Sequence, residues 1–192
     1  MTSISTCLDR IWGGVFKETR MHFGPAKRKY IQHRVHDPIC GNVPSKGDTG
    51  YYCGGTATYY VLIPEDMLRP SAAAFVAKLI SHEYGHHVQH WTHILDYEAV
   101  EGDATTRRAT ADLLSRRLEL QAECFAGVAL KAMRSEDLAW RQFRDLYVGI
   151  TDDPWAHDHG RQSTRLKWLE KGHRSGRAGA CDTWSASKRE VT

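Results

Sequence analysis

No run of apolar residues among these 192 positions approaches the eighteen or so that a membrane span needs, so a membrane-crossing helix drops out of the candidates. The opening stretch, MTSISTCLDRIWGGVFKETR, lacks the basic-then-apolar layout of a signal peptide, and the chain as it stands reads as soluble, or as the soluble part of something longer. The five cysteines (Cys7, Cys40, Cys53, Cys124 and Cys181) contain no CxxC pair, which argues against a zinc ribbon. Disulfides stay open for an exported protein, although an odd count leaves one thiol over. An excess of one charge is also missing. The net charge is +3 and the basic residues are spread out, apart from a modest excess after residue 161, whereas a nucleic-acid binder wants a concentrated basic face. There is no internal repeat and no low-complexity tract.

What is present is an ordinary globular balance, 41% hydrophobic and 26% charged, in a chain long enough to bury a core as one domain over residues 1–192. Ile4, Leu8, Ile11, Trp12, Val15 and Phe16 recur at helical spacing and predict a first helix over about 5–22, ended by Gly24-Pro25. Residues 27–36 are short, basic and partly alternating, as in an exposed strand. CGNVPSKGDTGYYCGG is rich in turn formers and reads as a loop bracketed by two cysteines. TATYYVLIP, residues 56–64, is β-branched and aromatic and reads as a strand stopped by Pro64. Ser71 is a fair N-cap for a long central helix that begins AAAFVAKLI. Further helices are predicted over about 104–134, with Leu113, Leu114, Leu118, Phe125, Val128 and Ala129 on the buried side, and over about 136–148. A last one follows TDDPW, takes in Leu166, Trp168 and Leu169, and ends near Gly172. The fold class this implies is α+β, mainly helical, with a small sheet before the central helix.

The densest feature is SHEYGHHVQHWTH, which places five histidines in residues 81–93. At about 100° per residue, His82, His86, His90 and, if the helix lasts that far, His93 share a face, while His87 points away. Residues four apart bring their imidazoles within reach of one ion. The pairs 82/86 and 86/90 both satisfy that geometry, and chemistry separates them. His82-Glu83-Tyr84-Gly85-His86 is HExxH, with a carboxylate directly after the first ligand that can reach a metal-activated water as general base. The 86/90 pair has His87 at that position, which serves the purpose less well.

A catalytic zinc takes a third protein ligand and keeps one position open. The extended pattern HExxHxxGxxH would need Gly and His at 89 and 92, where the chain has Gln89 and Thr92. The third ligand is then expected from RRLELQAEC, residues 116–124, where Glu119 and Glu123 lie on one helical face. Glu119 is assigned to the metal and Glu123 to the outer sphere, accepting a hydrogen bond from the second nitrogen of a ligand histidine. The plainer alternative is a solvated face on which Arg116 and Arg117 pair with these carboxylates.

With these residues the chain resembles the bacterial neutral zinc metallopeptidases of the YpfJ-like type. The resemblance is carried by HEYGHHVQ, by RRLELQAECFAGV, by His159-Gly160 with Arg165 and Trp168, by the terminal CDTW, and by Cys40-Gly41 and Tyr51-Tyr52-Cys53. It runs from about residue 8 to 184. What it implies is a zincin-like domain with two histidines and a glutamate on Zn2+, and a carboxylate four residues beyond that glutamate. It also implies disulfides Cys40–Cys53 and Cys124–Cys181 with Cys7 free, and a location outside the cytoplasm. His159 is the candidate for stabilising the oxyanion of an attacked peptide, with His157 as competitor and a structural loop histidine as the plain alternative. Thr56–Ile63 is expected either along the cleft, where an extended substrate could pair with it, or as ordinary core sheet.

The function expected is zinc-dependent endopeptidase activity on a peptide or protein substrate, with no nucleic-acid partner. The alternative is a zinc-stabilised interaction module with little or no turnover. An intact Glu83 argues against that module, because a purely structural site needs no base and closes all four positions.

Overall fold

The fold is that of a computed structural model, which describes residues 1–133, 138–149 and 154–192. Helix α1 (Thr2–Glu18) turns Leu8, Trp12 and Phe16 inward, and Trp12 meets Phe125 edge-on at 5.2 Å. Five short strands follow: β1 (Lys27–Ile31), β2 (Val35–Asp37), β3 (Gly41–Val43), β4 (Gly50–Cys53) and β5 (Thr58–Leu62). β5 lies between β1, which runs parallel to it, and β4, which runs antiparallel. β2 and β3 form a separate two-stranded ribbon. Cys40 is bonded to Cys53 and Cys124 to Cys181, and Cys7 is free.

The remaining elements are helical: α2 (Ala73–Trp91), α3 (Ile94–Ala104), α4 (Arg108–Met133), α5 (Trp140–Asp145), α6 (Ala156–His159) and α7 (Gln162–Ser175). The architecture is α+β, mainly helical, with the small sheet ahead of the central helix α2. Nearly every residue of α2 from Ala74 to Gln89 is buried, because the sheet, α1 and α4 pack around it on several sides. Among the described residues no helix is long and apolar enough to cross a membrane.

Several boundaries differ from those expected. The segment between Cys40 and Cys53 is not only loop, since it holds β3 and β4; runs of three or four residues among glycines leave no periodicity to detect. β5 does not run along an open edge. It is the middle strand, with its backbone groups engaged on both sides, and β4 takes the edge position instead. Ser71 caps nothing; it sits in a 3-10 turn, Pro70–Ala72, that leads into α2. The helix predicted from 104 begins at Arg108. Thr105 is extended and its hydroxyl accepts the Arg107 N–H, which separates α4 from the unforeseen α3. The proposed start at 136, like Thr151–Asp153 of TDDPW, lies outside the described residues, and α5 occupies only 140–145 of the expected span.

Gly172 does not end the last helix. The helix continues to Ser175 and is terminated by Gly176 at φ +64°. Gly172 instead allows contact between helices. A Cβ there would fall 1.9 Å from the Cys124 carbonyl oxygen on α4, and one on Gly127 would fall 2.1 Å from the Leu169 carbonyl oxygen on α7. The two backbones touch directly, next to the Cys124–Cys181 bond. Gly172→Ala should therefore force the helices apart and lower stability by ~3 kcal/mol or more, measured as a fall in the urea midpoint with unchanged slope. Gly14, which a methyl group could join without meeting any atom within 4 Å, should tolerate alanine.

Candidate metal centre

The site is built where α2 crosses α4, and the crossing point is Gly85 on Ala122. A Cβ on Gly85 would lie 2.8 Å from the Ala122 carbonyl oxygen and 2.9 Å from its Cα, so the helices meet backbone to backbone. His82 and His86 stand three residues before and one residue after Gly85. Glu119 and Glu123 stand in the same relation to Ala122. A single close approach therefore brings all four side chains together.

His82 Nε2 is 3.1 Å and His86 Nε2 is 3.5 Å from Glu119 Oε2. One ligand atom from each of these three residues lies within 4.8 Å of the others. Donors held at about 2.0–2.1 Å from one tetrahedral ion stand roughly 3.3 Å apart, which matches these separations. The outer hydrogen bonds fix which nitrogen faces inward. His82 Nδ1 is 2.8 Å from Glu123 Oε2, and a carboxylate only accepts, so Nδ1 carries the proton there. His86 Nδ1 is 2.9 Å from Gln89 Oε1 and donates likewise. Both rings turn Nε2 toward the Glu119 carboxylate, which accepts an N–H in the absence of metal; burial would lower His86, but the charge of Glu119 and its hydrogen bond raise it to about 9. A cation taking the place of those protons would meet two imidazoles and a carboxylate, a set that suits zinc. A second group of candidate ligands, Asp37 with Cys40 and Cys53, fits no metal because its two sulfurs are bonded to each other.

The three carboxylates are set differently. Burial alone would raise Glu123, but the charge of Lys78, whose Nζ is 2.9 Å from Oε2, and the hydrogen bond from His82 hold it down to about 2. The Tyr147 hydroxyl donates to its other oxygen. Burial would raise Glu119 as well, but the charges of His159 and His86 and the hydrogen bonds from His82 and His86 keep it well below the ordinary range. Glu83 goes the other way. Buried, and only partly compensated by His82 and His86, its carboxyl is raised. It lies against Gly50 on β4, where a Cβ would meet Glu83 Oε1 at 2.1 Å.

These residues line a cleft of about 560 Å³, walled by β4 at Gly50–Tyr52 and the loop before it, and by Phe75, Leu79, Leu118 and Trp155. Of the two competing histidines, His159 lines this cleft. Its Nε2 is 3.5 Å from Glu119 Oε2, and its Nδ1 is 2.8 Å from Asp158 Oδ1. Burial would lower His159, but Glu119 and Asp158 raise it. His157 is turned to the Pro154 carbonyl at 2.9 Å and to Asp158 at 3.3 Å.

The other histidines of the cluster stay apart from this group. His87 is fully buried, and its Nε2 donates to the Gly24 carbonyl at 2.7 Å while Tyr52 approaches its Nδ1 at 2.8 Å; burial lowers it to about 4. His90 packs on Tyr52. His93 lies beyond the end of α2, at φ +58°, where it pairs with Asp96 in solvent. Arg116 and Arg117 do not neutralise the glutamates. Arg116 donates to the His157 carbonyl, and Arg117 to carbonyls at 183, 184 and 186. Lys78, Gly50, Gln89 and Tyr147 were not foreseen. Lys78 left a trace, as the one charge inside AAAFVAKLI and one turn before His82.

With this geometry in hand, the comparisons place the protein in a class. A family model described as "Putative neutral zinc metallopeptidase" matches residues 1–150, and the chain belongs to that family. Among its relatives are uncharacterized protein YpfJ of Escherichia coli, 27% identical over 157 residues that cover 71% of this chain and 54% of that protein. An uncharacterized protein of Mycobacterium bovis is 29% identical over 182 residues, covering 77% and 59% respectively. The chain thus spans little more than half the length of the curated relatives it matches. No solved structure matches.

A pH test follows from Glu123. Its carboxyl sits at about 2 in the folded protein against 4.5 without partners, so its stabilising contribution is complete above pH 4.5 and lost as the pH falls toward 2. Metal-free Glu123→Gln should be less stable than wild type at pH 7 by roughly 2–3 kcal/mol. That gap should close between pH 4.5 and 2 in urea titrations at stepped pH.

Proposed function

We propose that this protein is a zinc-dependent endopeptidase, with His82, His86 and Glu119 holding the metal. The observation that carries the proposal is the convergence of two imidazole Nε2 atoms and the Glu119 carboxylate beside a raised, buried Glu83 in a cleft. Bound there, zinc would supply a Lewis acid that makes water acidic and polarises the scissile carbonyl. Glu83 takes the proton of the attacking water and returns it to the leaving amine, a task suited to a carboxyl whose pKa burial has raised above the ordinary carboxylate range. Glu123 holds His82 by its Nδ1 proton and stays ionised through Lys78 and Tyr147. His159, whose Nδ1 is 2.8 Å from Asp158 Oδ1 and whose pKa Glu119 and Asp158 raise against burial, offers an Nε2–H to the developing oxyanion.

The substrate is an extended peptide that adds to β4, the edge strand lining the cleft, through backbone hydrogen bonds. The disulfides and the family resemblance support a location outside the cytoplasm.

Glu83→Gln should keep about one zinc per chain, by metal analysis, and lose casein hydrolysis by on the order of 10²-fold or more. Retained hydrolysis would sink the assignment of the base. Glu119→Ala should lose zinc instead. If wild type binds zinc and cleaves nothing in the same assay, the interaction module becomes the better account.

Gly50→Ala tests the fit of the proposed base without replacing it. The added methyl displaces the Glu83 carboxylate, and hydrolysis should fall roughly 10²-fold with zinc content unchanged.

A further inference from the structure

His86 is held by a hydrogen-bond chain whose polarity is set more than thirty residues away from it in sequence. Gln89, fully buried, donates from Nε2 to the Leu118 carbonyl at 2.8 Å and to Gln121 Oε1 at 3.0 Å. A carbonyl only accepts, so this amide has one possible orientation, and its Oε1 faces His86 Nδ1 at 2.9 Å. His86 must donate from Nδ1, which leaves Nε2 for the metal centre. The same logic holds one step further out. Gln121 donates from Nε2 to the Cys181 carbonyl at 3.2 Å, so its Oε1 accepts both from Gln89 and from the Trp184 indole N–H at 3.3 Å. The indole only donates and the Cys181 carbonyl only accepts, so the outer end fixes Gln121, and Gln121 together with the Leu118 carbonyl fixes Gln89.

That outer end is the CDTW stretch. The Cys124–Cys181 bond ties it to α4. Arg117 donates to the carbonyls of Thr183, Trp184 and Ala186, and the Thr183 hydroxyl returns a hydrogen bond to the Arg117 carbonyl at 2.6 Å. So much anchoring for a segment that lines no part of the cleft is accounted for if its task is orientation.

We propose that Gln89 and Gln121 are positioning residues through which residues 181–184 orient His86, so that metal affinity depends on a stretch of chain that never reaches the metal. The proposal rests on reading His86 as a ligand, and the experiment separates the two. Zinc affinity is measured by competition with a chromophoric chelator for wild type, Gln89→Met, Gln121→Met and Trp184→Phe. Protection of the His86 Nδ1 proton is followed by nitrogen-15 NMR on the metal-free proteins, and their melting temperatures are recorded. Gln89→Met keeps the side-chain volume and removes the acceptor; it should bind zinc 10–100-fold more weakly and expose the Nδ1 proton. Gln121→Met and Trp184→Phe should weaken zinc roughly three- to tenfold, the effect of one ordinary hydrogen bond, and speed exchange of the same proton. Trp184→Phe keeps the ring that packs edge-on against Tyr97, so its melting temperature should stay near wild type.

Wild-type zinc affinity and wild-type protection in both outer variants would overturn the relay. If wild type itself binds no zinc, the ligand reading fails, and the Nδ1 proton still decides the relay: faster exchange in Gln121→Met upholds it, and unchanged exchange refutes it.

Discussion

The contact of Gly85 with Ala122 governs the site, because it sets the distance between two helices whose useful side chains sit at matching offsets. A residue with a Cβ at position 85 would push α2 off α4 by more than the tolerance of a metal centre, since the Ala122 carbonyl oxygen and Cα already lie within 3 Å of where that atom would stand. The two unnamed positions inside HExxH are therefore not neutral spacers here. One of them, Gly85, determines how near the glutamates can come. The other, Tyr84, is fully buried on the opposite side and donates to Asp9 of α1 at 2.7 Å, which ties α2 to the first helix. The same use of glycine recurs where α4 meets α7, so α4 is clasped backbone to backbone at two levels, and both its carboxylates project from a helix with little freedom to shift.

The sequence disclosed whatever has a period or a fixed offset. HExxH at four-residue spacing and the Glu119/Glu123 pair are offsets along single helices, and an apolar run before a histidine cluster is a sound sign of a buried helix. Contacts between elements left no such mark. The close approach at Gly85 reads, from one strand of text, like any glycine in a helix, and Gly172 reads as a terminator because glycine most often is one. β4 was hidden for a related reason: Gly50 looks like part of a turn, whereas the structure needs a glycine there so that the Glu83 carboxylate has room. Exchanging β5 for β4 as the edge strand required knowing that β1 pairs in parallel on the far side, a long-range fact with no local signature.

Both candidate ligand histidines are held from behind at Nδ1 by an accepting oxygen, but on groups of different kinds. His82 leans on a carboxylate that carries full charge, reinforced by Lys78 and Tyr147. His86 leans on a neutral amide whose direction is dictated by backbone carbonyls and an indole. The charged arrangement makes its imidazole a stronger donor to a metal, and the neutral one adds no further negative charge to a cleft that already holds Glu83, Glu119, Asp48 and Asp158. A second carboxylate behind His86 would have deepened the desolvation cost of an already anionic interior.

The three glutamates show that identity of side chain says little about role until surroundings are specified. Glu123 is sealed in with a lysine and a tyrosine hydroxyl, so it remains an anion and acts only as an acceptor. Glu119 is surrounded by three imidazole nitrogens and remains an anion facing the cleft, the state a ligand requires. Glu83 is as deeply buried, yet among the described residues it forms no ion pair, and the charges of His82 and His86 only partly offset its burial, so its proton is held more tightly than in either of the others. A raised carboxyl suits the proposed base and a lowered one the proposed ligand. Environment thus separates the proposed base from the proposed ligand more firmly than their positions in the sequence do.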